Sequence, residues 1–357
     1  MPEIEFRERT ARLRAMMAQK GINVILLYGS GMSEYGHQSY ISNYVPESAE
    51  GMVVIVPECG DTTLVFEGVA RGLASVQNTT WISDIRASEN LAKACSDYLT
   101  GNYPNGITIG IVGFKQLMPF NQWRSFTEYT KMYHVTDWTS TLQEMRMVKS
   151  SRESDQIRRA SRIVGRAFDN LSNIIYPEIN ERSIEAEIER YCYLEGAEDV
   201  RVLLTYPLCK DRIFRPAENG RKIDSKSISV YLAMAYEAYW AEGIRTYGFQ
   251  DFNVISPETI DGYRMILRNL KKGMVISTFY NKTSSDLTLG KKCSFYDYPG
   301  NSIGLALQEY PFISKNQKTR LKKGMCLTLR LISDNEIGPT ITGHTLLVTE
   351  NAPEILT

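Results

Sequence analysis

Hydrophobic positions at Phe6, Leu13, Met16 and Met17 recur near helical spacing across residues 5 to 20, and Gly21 closes the run before the β-rich INVILLY at 22 to 28. The chain is therefore expected to open with a helix feeding a strand. Further β-rich runs, MVVIV at 52 to 56, TTLVF at 62 to 66 and ITIGIVG at 107 to 113, alternate with helical stretches near 69 to 76, 88 to 101 and 120 to 130. That alternation predicts an α/β domain over residues 1–143.

From Glu144 the pattern changes. The segment EMRMVKSSRESDQIRRASRIVGRAFDNL sets Ile157, Ala160, Ile163, Val164 and Phe168 on one stripe with charges opposite, which predicts a long amphipathic helix opening a second domain, residues 144–357. A second helix is expected from Arg182, with Ser183 as N-cap, to the stop signal Gly196. A third starts at Ser256-Pro257, Ser as cap and Pro at the first helical position, and ends at Gly273. Strand-like runs follow at 201–206, 226–235, 238–247, 274–280, 325–333 and 340–349. Helices followed by many strands predict an α+β domain with a curved antiparallel sheet and helices on one side.

Composition narrows the partners. With 41 basic and 41 acidic side chains the formal net charge is zero, so no global field favours nucleic acid or an anionic membrane. The six cysteines, Cys59, Cys95, Cys192, Cys209, Cys293 and Cys326, lack CxxC spacing, and MPEIEFRERT has no signal-like apolar run. A reduced cytoplasmic protein is expected, and no stretch reaches the ~20 apolar residues of a membrane helix.

Several segments, in order, resemble the creatinase/prolidase/Xaa-Pro aminopeptidase family of the pita-bread fold. RTARLRAMMAQKGINVILL with YISNY is similar to its amino-terminal domain, and MRMVKSSRESDQIRRASRI to the link into its catalytic domain. EGIRTYGF resembles the Asp-x-x-Arg-Thr segment, and NSIGLALQEYP the His-Gly-x-Gly-x-x-x-His-Glu-x-Pro segment. KKGMCLTLR resembles the strand ending in a ligand glutamate, and HTLLVTENAPEILT the closing segment. The resemblance implies an α/β N-terminal creatinase-like domain plus an α+β pita-bread C-terminal domain. It also implies a homodimer in which the loop Tyr44–Met52 reaches toward the partner's pocket.

In the family two divalent ions are held by two aspartates, a histidine and two glutamates, because hard cations need anionic oxygens. Carried over residue by residue, these positions become Tyr231, Glu242, Asn301, Arg330 and Gly343. A guanidinium at a ligand position repels a divalent ion, so no metal and no other cofactor is expected. The family's substrate-handling histidines become Arg215 and Gln308, and His344 replaces an aspartate. Creatinase hydrolyses a C–N bond without metal, but through a histidine that Arg215 replaces here.

The expected site is therefore a polar pocket. Glu242, Glu309 and His344 are its candidate catalytic groups, with Arg215, Tyr231, Tyr236, Asn301 and Arg330 holding substrate. Opposed arginines and glutamates suit a carboxylate-bearing or amino-acid-derived small molecule. The expected function is metal-independent, creatinase-like cleavage or rearrangement at a C–N bond, in specialised metabolism. The alternatives are an inactive pseudo-peptidase that binds a small ligand, peptide or protein, with Glu242 and Arg330 as a buried ion pair, and a metallopeptidase with reassigned ligands.

Overall fold

The computed structural model describes residues 1–31, 34–46, 50–68, 76–206, 213–249, 257–289, 293–335 and 338–357. The helix expected over 69–76 falls almost wholly outside them, as do Ser256, Cys209 and the centre of the 44–52 loop. The chain divides into two units, Met1–Arg146 and Met147–Thr357.

In the first unit α1 (Glu3–Lys20) ends where Gly21 takes the left-handed conformation, φ 63°, and leads into β1 (Val24–Ser30). Then come α2 (Gly36–Ser42), β2 (Gly51–Pro57), β3 (Thr63–Glu67), β4 (Asp84–Ser88), α3 (Leu91–Asn102), β5 (Thr108–Val112), α4 (Phe114–Leu117), α5 (Phe120–Tyr129), β6 (His134–Asp137) and α6 (Thr139–Met147). The strands form one six-stranded sheet in the order β4-β3-β2-β1-β5-β6. β1 pairs antiparallel with β2 and parallel with β5, and all seven of its residues are buried. A continuous apolar run rather than alternation is what a strand covered on both faces requires.

In the second unit α7 (Ser151–Ser172) begins with a capping box: Ser150 accepts from the Glu153 amide, and the Glu153 carboxylate accepts from the Ser150 amide. The helix expected to run from Glu144 is thus two helices, α6 and α7. α8 (Glu181–Leu194) starts earlier than expected because Asn180, not Ser183, caps it through the Arg182 amide. After β7 (Asp199–Thr205), β8 (Ser227–Tyr236) and β9 (Tyr239–Gly248) come α9 (Pro257–Asn269) and α10 (Ile276–Leu289). α10 corrects the strand expected at 274–280: VISTFY favours β locally, but Ile276, Phe279, Thr283 and Leu287 are the buried positions, and that spacing fits only a helix.

The remaining strands are β10 (Cys293–Phe295), β11 (Asn301–Ser302), β12 (Glu309–Phe312), β13 (Cys326–Asn335), β14 (Gly338–Leu347) and β15 (Glu354–Ile355). They complete a nine-stranded sheet, antiparallel throughout its pairings, with main order β12-β11-β13-β14-β9-β8-β7. The apolar stripe of α7 packs on one face of this sheet. Gly243 in β9 permits the approach, since a Cβ there would lie 2.9 Å from the Phe168 ring.

Candidate functional site

Register places four strands' side chains in one row across the sheet. Tyr231 in β8 lies opposite Ile244 in β9, Ile244 opposite Gly343 in β14, and Gly343 opposite Arg330 in β13. Partners in a rung share a face, so all four point away from α7, and Glu242, two residues before Ile244, joins them. The row lines a pocket of about 670 Å³ whose walls include Phe214, Tyr296, Tyr298 and Leu307.

Arg330 is the pocket's charged anchor. Its Nη2 donates to Glu242 Oε1 at 2.5 Å and its Nη1 to the Tyr298 carbonyl at 3.3 Å, while the guanidinium lies 5.0 Å from the Tyr298 ring centroid. Burial opposes its charge, but the Glu242 carboxylate outweighs burial and holds the guanidinium more firmly protonated than usual. Glu242 is 2 % exposed and lies behind the lining. Its second oxygen accepts from the Tyr231 hydroxyl at 2.9 Å. Burial, then the Glu242 charge, push the Tyr231 phenol well above its ordinary range, so it stays a proton-bearing donor. Gly343 leaves space for this arrangement: a Cβ there would meet Ile244 at 3.1 Å and the Arg330 stem at 3.3 Å.

Of the expected catalytic groups only Glu242 lies with the row. Glu309 is buried beside Lys149, whose Nζ donates to it at 2.9 Å and to Ser302 Oγ at 3.0 Å, and its other oxygen accepts from the Ala306 amide. It braces the 302–309 turn and does not line the pocket. His344 is one residue on from Gly343, and strand alternation turns it to the opposite face. There its ring meets Tyr263 edge-on at 4.6 Å, and Nδ1 stands 2.6 Å from the Thr357 carbonyl oxygen. Burial depresses its pKa to about 4, so it is neutral at pH 7, and the nearby carbonyl assigns the proton to Nδ1.

Three expected substrate contacts are likewise engaged elsewhere. Arg215 forks onto the buried Glu181, Nη1 to Oε2 at 2.8 Å and Nη2 to Oε1 at 2.6 Å. The chain alternates here, so that Phe214 and Pro216 line the pocket and Arg215 does not. Asn301 Nδ2 is taken by the carbonyls of Ser302 and Leu307, at 2.6 and 3.0 Å. Tyr236 lines a different concavity, with Arg159, Arg162 and Arg166 of α7. Of the neighbouring aromatics, Trp240 stacks under Arg201 at 4.9 Å and the Tyr239 hydroxyl donates to Glu153, which is packing.

Sequence reasoning missed Phe214, Tyr296, Tyr298 and the rim carboxylates Glu185 and Glu189. The two-residue spacing of the tyrosines in FYDYP was a signal for a shared wall. Burial, and then its neighbour Glu185, raise the Glu189 pKa. Among the described residues no three His, Cys, Asp or Glu side chains gather closely enough to hold a metal ion.

Comparison with known proteins fits this architecture. Residues 9–148 match the creatinase/prolidase N-terminal domain, and residues 155–350 match metallopeptidase family M24. An uncharacterized peptidase of Staphylococcus epidermidis is 25 % identical over 256 residues, covering 66 % of this chain and 69 % of the relative. A Xaa-Pro dipeptidase of Pyrococcus horikoshii is 22 % identical over 365 residues, 98 % of this chain and 97 % of the relative. Among solved structures, the X-Pro aminopeptidase of Thermotoga maritima superposes with a TM-score of 0.83 at 18 % identity, over 98 % of this chain and 97 % of that one. With its curled antiparallel sheet and mixed-sheet amino-terminal domain, the chain is a pita-bread protein and belongs to metallopeptidase family M24.

Proposed function

We propose that this family member acts without a two-metal centre, as a creatinase-type hydrolase of a carboxylate-bearing, amino-acid-derived small molecule. The observation that carries the reading is the Arg330–Glu242–Tyr231 constellation in the pocket row. A pair of divalent ions does not fit these residues. Arg330 carries a fixed positive charge on the row, and Glu242, the carboxylate beside it, already has both oxygens engaged.

Arg330 keeps unused N–H groups that can take a substrate carboxylate or a developing oxyanion, a charge-assisted contact strengthened by the apolar walls. Tyr231 and Glu242 can move a proton together. As water attacks the carbon of a C–N bond, its proton passes to Tyr231 Oη while the phenol's own proton moves to Glu242 Oε2. No tyrosinate forms at either end, consistent with the raised Tyr231 pKa. The leaving nitrogen then recovers the proton by the reverse path.

A second reading, a pseudo-peptidase that binds its ligand unchanged, is favoured by that same double engagement of Glu242. One experiment separates them. Chelator-treated wild type, Tyr231→Phe and Arg330→Ala are each incubated with small-molecule extract of the producing cells and followed by mass spectrometry. A metabolite consumed by wild type and spared by Tyr231→Phe supports hydrolysis. A metabolite retained intact by wild type and lost by Arg330→Ala supports the binding module. Consumption that chelator abolishes would overturn the metal-free reading.

A further inference from the structure

Resting on the reading that Arg330 takes a carboxylate, we propose that the opposite side of the same pocket takes a cationic nitrogen, held by Glu189 and an aromatic corner at Phe214, and that the ligand is therefore a zwitterion. Among the described lining residues four are charged: Arg330, Arg201, Glu185 and Glu189. Arg330 is matched by Glu242 behind the lining, Arg201 by Asp199 at 3.4 Å and by the Trp240 ring at 4.9 Å, and Glu185 by Arg182. Glu189 is left over, with no hydrogen bond or ion pair among the described residues. It is half-buried, and burial, then Glu185 one turn away on α8, both oppose its charge. An uncompensated carboxylate on a pocket wall is a cost that a cation on the ligand removes.

The aromatic walls point to a cation independently. Phe214 stands 6.0 Å from Tyr231 at 53° between ring planes and 6.0 Å from Tyr296 at 69°. Rings meeting at such angles form a corner rather than a flat stack, and ring faces attract a cation. Arg330 already shows this preference inside the pocket, with its guanidinium 5.0 Å from the Tyr298 ring centroid and 6.0 Å from that of Tyr231. The two charges of the ligand are kept apart by the sheet itself. Arg330 is on β13, whereas Glu189 is on α8, which packs on β7, and β14, β9 and β8 lie between those two strands. A pocket of about 670 Å³ has room for a small molecule reaching from the corner to the guanidinium.

The test is a calorimetric titration of the full chain with 4-(trimethylammonio)butanoate, with its isostere 5,5-dimethylhexanoate, which lacks only the positive charge, and with tetramethylammonium. The zwitterion is expected to bind about tenfold more tightly than the isostere. Glu189→Gln and Phe214→Leu should each remove most of that preference and leave the affinity of the isostere unchanged. Arg330→Met combined with Glu242→Gln removes the carboxylate's partner without stranding a charge. That double variant should weaken zwitterion and isostere alike and bind tetramethylammonium as wild type does. If it binds the zwitterion as tightly as wild type while Glu189→Gln still removes the preference, the carboxylate role of Arg330 falls and the cation subsite stands. The cation subsite is overturned if zwitterion and isostere bind alike, if Glu189→Gln or Phe214→Leu keeps the preference, or if neither the zwitterion nor tetramethylammonium binds saturably.

Discussion

Arg330 and Glu242 neutralise one another away from water, and such pairs are expensive to break and often neutral to replace together. Arg330→Met leaves the Glu242 carboxylate uncompensated and is expected to lower stability by about 3–5 kcal/mol, whereas adding Glu242→Gln should restore most of it. Urea unfolding of the wild type and the two variants checks this, and equal losses in the single and double variants would contradict it. His344 gives a pH dependence of definite sign. Its pKa falls from the model-compound value of 6.5 to about 4 in the folded chain, so between those values the unfolded state binds the extra proton. Its contribution is therefore complete above about 6.5 and lost as the pH falls toward 4. Replacing it by Phe should flatten the slope of stability against pH in that window.

At the scale of elements, the site rests on how α7 and the short strand β11 are fixed. Ser150→Ala removes one half of the α7 capping box and should cost about 1 kcal/mol, read from the urea midpoint, with the pocket chemistry unchanged. Gly300 immediately before β11 is far less tolerant. Its φ is 150°, and a Cβ there would stand 1.8 Å from the Thr328 carbonyl oxygen. Gly300→Ala should therefore unseat β11 from β13 and yield little folded protein, while Gly101→Ala, with no atom near its Cβ position, should behave as wild type. Comparing soluble yield and circular dichroism of the two variants is sufficient.

At the scale of the whole molecule, the metal-free reading makes a thermodynamic statement. A cation held by the native state alone would stabilise it by about 2.7 kcal/mol at a hundred times its dissociation constant. Manganese, cobalt or zinc added to chelator-treated protein should therefore leave the unfolding temperature unchanged, and a saturable rise would sink the idea. Among the described residues no helix is long and apolar enough to cross a membrane.

The sequence by itself determined the elements with strong periodicity and punctuation: α1 with its Gly21 stop, the buried β1, the α7 stripe, and the segments that mark the family. Register across the sheet then made Tyr231, Glu242, Arg330 and Gly343 neighbours. Other positions were decided only by tertiary structure, because a side chain's face and partner are not local properties. Strand parity turned His344 away from a row one residue distant, and alternation did the same to Arg215 beside Phe214. The buried ammonium of Lys149, far from Glu309 in sequence, claimed the carboxylate that sequence had assigned to catalysis. In the same way, the strand expected at 274–280 became helix from Ile276 onward because four buried positions at helical spacing outweigh local preference.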